Sequence, residues 1–345
     1  MSLIDDRKQI GLEDSQGKDM KALITGITGQ DGAYLARFLL GKGYTVIGAS
    51  RDASIARCHN LESLGIREQV VMESMAMNDF RSVIQVLRKV LPDEIYNLAG
   101  QSSVSLSFEQ PVETQESISI GTLNLLEAIR FLDSPVRLYS AGSSECFGNT
   151  ETPADEDTPF RPRSPYAVAK ATAFWQVANY REAYGIHACS GILFNHESPL
   201  RPERFVTQKI IASACRIANG SQEKLHLGEI SIYRDWGWAP EYVEAMWLML
   251  QQDRPDDYVI ATGETRSLTE FIDHTFSCLN LDWQEHVQTK TALRRPSDIH
   301  MSRANPSKAM IDLGWCAQSK MHDVVGMMVA NYRGNKKDSG IRGTT

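Results

Sequence analysis

A chain of 345 residues has room for one large α/β unit and a smaller lobe, at roughly 100–200 residues per domain. Its formal net charge of −7 argues against a protein that tracks nucleic-acid phosphates, yet leaves room for a basic pocket around one anionic small molecule. No apolar run approaches the ~20 residues of a membrane span. The six cysteines (Cys58, Cys146, Cys189, Cys215, Cys278, Cys316) form no C-x-x-C pair, which suggests neither a zinc site nor a disulfide framework and fits reduced thiols in cytoplasm.

In chain order, residues 1–20 are polar, lack the apolar centre of a secretory leader and read as a loose tail. Residues 21–25 form a short apolar strand that runs into the turn Gly26-Ile27-Thr28-Gly29-Gln30-Asp31-Gly32. Helical spacing over 33–40 follows, closed by Gly41 and Gly43. Further strands are expected at 44–50, 70–72, 94–98 and 136–140, separated by helices at 79–90 and 121–131. This alternation implies right-handed βαβ units and a doubly wound parallel sheet. A helix with an aromatic stripe (Phe174, Trp175, Tyr180, Tyr184) leads to a strand at 188–194, after which Arg, Pro and Trp become denser. That change suggests a second, α+β lobe with helices near 207–219, 241–252, 268–279 and 306–313.

The organisation expected is a dinucleotide-binding unit over 21–195 with a return segment near 234–262, a substrate-binding lobe mainly over 196–332, and an unpacked tail from 333 to 345. No internal repeat is present.

Four motifs carry chemistry. The glycine turn sits between a strand and a helix, where glycines let backbone N–H groups and the helix N-terminus meet a pyrophosphate. The second strand ends in Arg51-Asp52. An arginine there suits the 2′-phosphate of NADP and a carboxylate the free ribose of NAD, so NADP is favoured and NAD stays open. Tyr166 and Lys170, four residues apart on a helix opened by Pro165, share a face. A nearby ammonium is expected to pull the tyrosine toward its phenolate. Ser143, Ser144 and Glu145 follow a strand and so fall at the carboxyl edge of the sheet. Ser143 is placed to hydrogen-bond a substrate alcohol, and Glu145 to make a second proton transfer that a plain dehydrogenase does not need.

With these residues in place, the chain from Lys21 to Tyr332 resembles the extended short-chain dehydrogenase/reductases, with their Rossmann-type fold, and within them the GDP-mannose 4,6-dehydratase family. The most specific stretches are the glycine turn, Arg163-Ser-Pro-Tyr166, Gly191-Ile-Leu-Phe-Asn-His-Glu-Ser-Pro199, Phe205-Val-Thr207 and Arg234-Asp-Trp-Gly237. The resemblance implies a lyase that removes water from a GDP-hexose, with Glu145 as the C5 base, Tyr166 as the C4 hydroxyl base supported by Lys170, and Ser143 in a position where the family usually has threonine. It implies cofactor contacts from Gly26 to Gly32, from Leu98, Ala99, Gly100, Gln101 and Ser102, and from Arg51, His196 and Arg201. It implies substrate contacts from Ser103, Asn195, Lys209, Arg234, Arg295 and Asp298, the last replacing the family's glutamate, together with a homodimer or homotetramer. Three departures stand out: Ala76 in place of an acidic residue, no second arginine after Arg51, and Pro202 in place of glycine. A GDP-keto-sugar reductase or epimerase, a GDP-heptose dehydratase and a non-catalytic dinucleotide-binding protein are the alternatives.

Overall fold

The computed structural model describes residues 20–339. Of the two expected tails, residues 1–19 and 340–345 lie outside that range.

The first half alternates as its sequence pattern dictates: β1 (Lys21–Thr25), α1 (Gln30–Gly41), β2 (Thr45–Ser50), α2 (His59–Ser63), β3 (Val71–Ser74), α3 (Phe80–Val90) and β4 (Glu94–Asn97). There follow α4 (Val104–Glu109), α5 (Pro111–Gln115), α6 (Gly121–Leu132), β5 (Arg137–Ala141), α7 (Pro165–Tyr184) and β6 (Ala188–Leu193). The second half contains β7 (Asn195–Glu197), α8 (Val206–Ala218), β8 (Leu225–Leu227), β9 (Tyr233–Trp238), α9 (Ala239–Gln251), β10 (Tyr258–Ile260) and β11 (Thr265–Ser267). It closes with α10 (Leu268–Ser277), β12 (Val287–Thr289), α11 (Ser307–Leu313) and α12 (Met321–Ser339).

Seven strands form one parallel sheet in the order β10-β6-β5-β4-β1-β2-β3. The order reverses between β1 and β4, so a crevice opens there at the carboxyl ends, which is where doubly wound sheets bind ligands. Both faces are covered, and the central strands β1, β4 and β5 are buried along most of their length, with Leu23, Ile24, Ile95, Tyr96, Leu138 and Tyr139 at their cores. α1 and α9 pack on one side (Leu35, Leu39, Val243, Met246), and α3, α6 and α7 on the other (Val83, Leu87, Leu125, Ile129, Val177). α3 shows how locally this is written: Val83, Val86, Leu87 and Val90 recur at helical spacing and are buried, and the Asp79 carboxylate caps the helix by accepting from Arg81 N–H at 3.0 Å. Each such buried side chain contributes about 1.5–3 kcal/mol.

The second lobe has its own core, in which α8, α10 and α12 close over Trp236 through Ile210, Ile211, Phe271, Phe276 and Val325. Helix α12 continues to Ser339, beyond residue 332 where the sequence reading ends the packed chain. A π-helical turn at Glu116–Ile120 leads directly into α6. No helix among the described residues is long and apolar enough to cross a membrane.

Candidate active site

Thr25, the last residue of β1, donates its hydroxyl to Asn97 at 3.0 Å and accepts from the N–H groups of Leu98 and Ala99, each at 3.1 Å. These bonds draw the glycine turn against the end of β4. Gly26 follows at φ 71°, and a Cβ on it would lie 2.7 Å from the Leu98 carbonyl oxygen; at Gly32 a Cβ would lie 2.5 Å from that of Gly26. Only glycines allow so close a turn. Gly29 caps α1 without a side chain, so the first-turn N–H groups, which have no intrahelical acceptors, face outward. The shape and the donors fit a pyrophosphate.

The remaining turn residues serve the scaffold. Ile27 is buried against β2, and the carbonyl of Thr28 accepts from the Asn60 side chain at 2.9 Å. Gln30 donates to the His196 carbonyl at 3.2 Å and accepts from the Ser198 hydroxyl at 2.8 Å. The Asp31 carboxylate lies 3.0 Å from His196 Nε2. Burial opposes the charge on Asp31, but His196 and then Gln30 outweigh it and hold the carboxyl down to about 2, while the same pairing raises His196. The side chains of Gln30 and Asp31 thus tie the start of α1 to residues 196–198, and Asp31 also lines the cavity.

Along the crevice, Leu98 through Ser103 line a cavity of about 370 Å³ that reaches into the second lobe. Arg51 lies beyond this cavity, 83 % exposed, with Nη2 3.9 Å from Glu113. The neighbouring Asp52 carboxylate accepts from both the N–H (2.9 Å) and the hydroxyl (2.6 Å) of Ser54. It is therefore committed to its own turn.

The reactive groups converge where β5 meets α7. Ser164 caps α7, accepting from Ala167 N–H at 3.1 Å, and Pro165 occupies the first turn. This start sets Tyr166 and Lys170 on the face that packs against the end of β5. After β5 the backbone turns at Gly142, and Ser143 accepts from Glu145 N–H at 3.3 Å, fixing a short helical turn over Ser144–Phe147. Ser143, Glu145, Tyr166 and Lys170 all line the cavity.

Electrostatics here differ from the sequence expectation. Lys170 donates to the Ala141 carbonyl at 2.7 Å, and its Nζ stands 5.9 Å from the centre of the Tyr166 ring. Burial raises the Tyr166 phenol, opposed by hydrogen bonding from Ser143 and more weakly by Arg201, so the serine rather than the lysine favours the phenolate in this state. Burial also brings Lys170 down to about 8. Glu145 is raised by burial, against the pull of Arg234 and Arg295. A carboxyl tuned upward in this way is a better proton acceptor near neutral pH.

At the far end the cavity is basic. Arg234, buried on β9, donates to the Tyr233 carbonyl at 2.9 Å and reaches Asp298 at 3.3 Å. Arg295 meets the same Asp298 oxygen at 3.2 Å. Lys209 donates to the His226 carbonyl at 2.6 Å, and Asn195 opens β7 in the cavity wall. The Arg201 guanidinium lies 4.0 Å over the Phe205 ring with Nε 3.3 Å from the buried Glu197. Sequence reasoning overlooked Glu197, which accepts from Thr207 at 2.7 Å, and the pair Arg294–Glu229 at 3.1 Å. Thr207, inside a quoted motif, carried a signal for the first; nothing local marks the second.

A parallel sheet with Ser, Tyr and Lys gathered at its carboxyl edge defines the extended short-chain dehydrogenase/reductase class. Solved structures agree on the fold: a dTDP-glucose 4,6-dehydratase from Streptomyces venezuelae with NAD bound superposes with a TM-score of 0.82 at 22% identity, covering 92% of this chain and 98% of its own. A UDP-glucose 4-epimerase from Thermus thermophilus gives 0.80 at 26%, covering 91% and 99%. The family model of GDP-mannose 4,6 dehydratase matches residues 23–328, and the chain belongs to that family. It is 48% identical to GDP-mannose 4,6 dehydratase 1 of Arabidopsis thaliana over 89% of this chain and 88% of the relative. Against a GDP-mannose 4,6-dehydratase of Vibrio cholerae it is 42% identical over 90% and 92%.

Proposed function

We propose that the protein converts GDP-mannose to the 4-keto-6-deoxy sugar nucleotide by an internal redox cycle. The observation that carries this reading is Glu145: a carboxyl raised by burial shares one cavity with Ser143, Tyr166 and Lys170, as required to take a proton from the carbon next to a newly formed ketone. A bound oxidised nicotinamide dinucleotide supplies the hydride acceptor for C4 and the hydride later returned to C6. Tyr166, favoured as phenolate chiefly by Ser143, receives the C4 hydroxyl proton, while Lys170 is held on the same helix face by the Ala141 carbonyl. Glu145 then takes the C5 proton; the C5–C6 double bond forms as the C6–O bond breaks, and the departing hydroxide leaves as water with the proton Glu145 returns. Return of hydride to C6 is completed by protonation at C5, which balances the proton that Tyr166 took from the C4 hydroxyl and gives up to regain its starting state. Arg234 and Arg295 suit the diphosphate, whose charge paired guanidiniums bind with charge-assisted hydrogen bonds. Incubation of GDP-mannose with catalytic NADP⁺ tests the reading: it predicts product lighter by one water and no net change in reduced cofactor, whereas a reductase or epimerase gives no such loss.

NADP is favoured over NAD because Asp52 is held by Ser54 while Arg51 extends into solvent at the end of β2. Arg51→Ala is expected to weaken NADP⁺ binding about tenfold and NAD⁺ binding little, on the scale of one charge-assisted contact. Calorimetric titration of both dinucleotides checks this; an equal effect on the two would remove Arg51 from the site.

We place the enzyme in cytoplasm, in keeping with six cysteines spread along the sequence without a C-x-x-C pair, and assign a homodimer built on α6 and α7. Phe131 on α6 and Trp175 on α7 are 70% and 62% exposed, and Val168 and Tyr184 on α7 and Ile120 in the π-turn that leads into α6 are exposed as well. Such residues seek apolar cover. The double variant Phe131→Glu/Trp175→Glu is expected to sediment as a monomer; an unchanged sedimentation coefficient would put the interface elsewhere.

A further inference from the structure

Beyond the groups that touch the reacting atoms, one contact crosses the cavity between its two walls. The Arg295 Nε donates to the Ser105 hydroxyl at 3.1 Å, joining residues 190 apart in sequence. Ser105 lies in α4, which continues directly from the wall over 98–103 on the dinucleotide side. That wall is stiffly built. Gly100, at φ 128°, packs against Ile118 of the π-turn, and the Gln101 side chain both accepts from Ser103 N–H and donates to the Ser103 carbonyl. Gln101 N–H reaches the Ser117 hydroxyl at 3.3 Å, and Ser103 caps α4 by accepting from Leu106 N–H at 3.3 Å. On the other wall, Arg295 is tied through Asp298 to the buried Arg234.

We propose that Ser105 is a positioning residue that holds Arg295 in register with the dinucleotide-side wall, so that occupation of the cofactor site strengthens capture of the substrate diphosphate. The inference rests on the proposed function, since it takes Arg295 as a diphosphate ligand. A ligand seated on residues 98–103 biases the position of the stiff wall and of α4 that continues from it, and through Ser105 that of the Arg295 guanidinium, so that the second ligand meets an arginine already placed. Coupling of this kind is reciprocal: each ligand tightens the other by the same factor.

The test measures binding without turnover, by calorimetric titration of the full chain with GDP in the absence and presence of saturating NADP⁺. In the wild type NADP⁺ is expected to tighten GDP about fivefold, at the lower end of typical coupling. Ser105→Ala should reduce that factor to about one while NADP⁺ alone binds as before, and Ser105→Thr, which keeps the hydroxyl, should restore it. Equal coupling in wild type and Ser105→Ala, or none in the wild type, overturns the inference and leaves the proposed function standing. A wild type that binds NADP⁺ but no GDP overturns both.

Discussion

Glu145→Gln is expected to lower kcat for dehydration by about 10²–10⁴, the range that one positioned acid–base group supplies. The substitution keeps the shape of the side chain and removes its ability to accept a proton. Arg234 and Arg295, which pull on Glu145 electrostatically, lose an anionic neighbour, so GDP affinity should hold or rise. Oxidation at C4 does not need this carboxylate. A single turnover of the variant with GDP-mannose and stoichiometric NADP⁺ should therefore show reduced cofactor accumulating by absorbance, where the wild type shows none at the end of the reaction. Release of 4-keto-6-deoxy product at near wild-type rate would remove Glu145 from the proton transfer.

Tyr166→Phe is expected to cost a similar factor or more, and at an earlier step. The phenol is buried and its proton affinity raised, with Ser143 as the principal group favouring the phenolate. Without the hydroxyl the cavity loses the acceptor assigned to the C4 proton. The single-turnover signature is then the opposite of the glutamine variant: no reduced cofactor appears, while binding of both nucleotides persists. Reduced cofactor forming at an undiminished rate in Tyr166→Phe would reassign the base.

The parts of the site that were legible in the sequence are those in which a few adjacent residues meet a backbone requirement. Gly26 and Gly32 announce a turn that only glycine can make, and Tyr166 with Lys170 share a face because four residues span one helical turn. Ser143 and Glu145 could be placed because a strand followed by a polar turn must end at the carboxyl edge of the sheet. The contacts that escaped join distant segments. Asp31 with His196 and Arg295 with Ser105 pair residues that no local pattern links. Lys170 was expected to act on Tyr166 directly, but its chain length also lets it reach the Ala141 carbonyl, and only the fold decides between the two. The last helix was findable: Met321, Val324, Val325, Met328 and Val329 recur at helical spacing and are buried in the second core.

The central claim is that one hydride leaves C4 and returns to C6 of the same sugar while Glu145 handles the proton at C5. GDP-mannose carrying deuterium at C4, incubated with wild-type enzyme and unlabelled NADP⁺ in ordinary water, tests it most directly. Product with the deuterium retained at C6 is the predicted result. Deuterium released into the reduced cofactor pool or into solvent, with none at C6, would contradict the account.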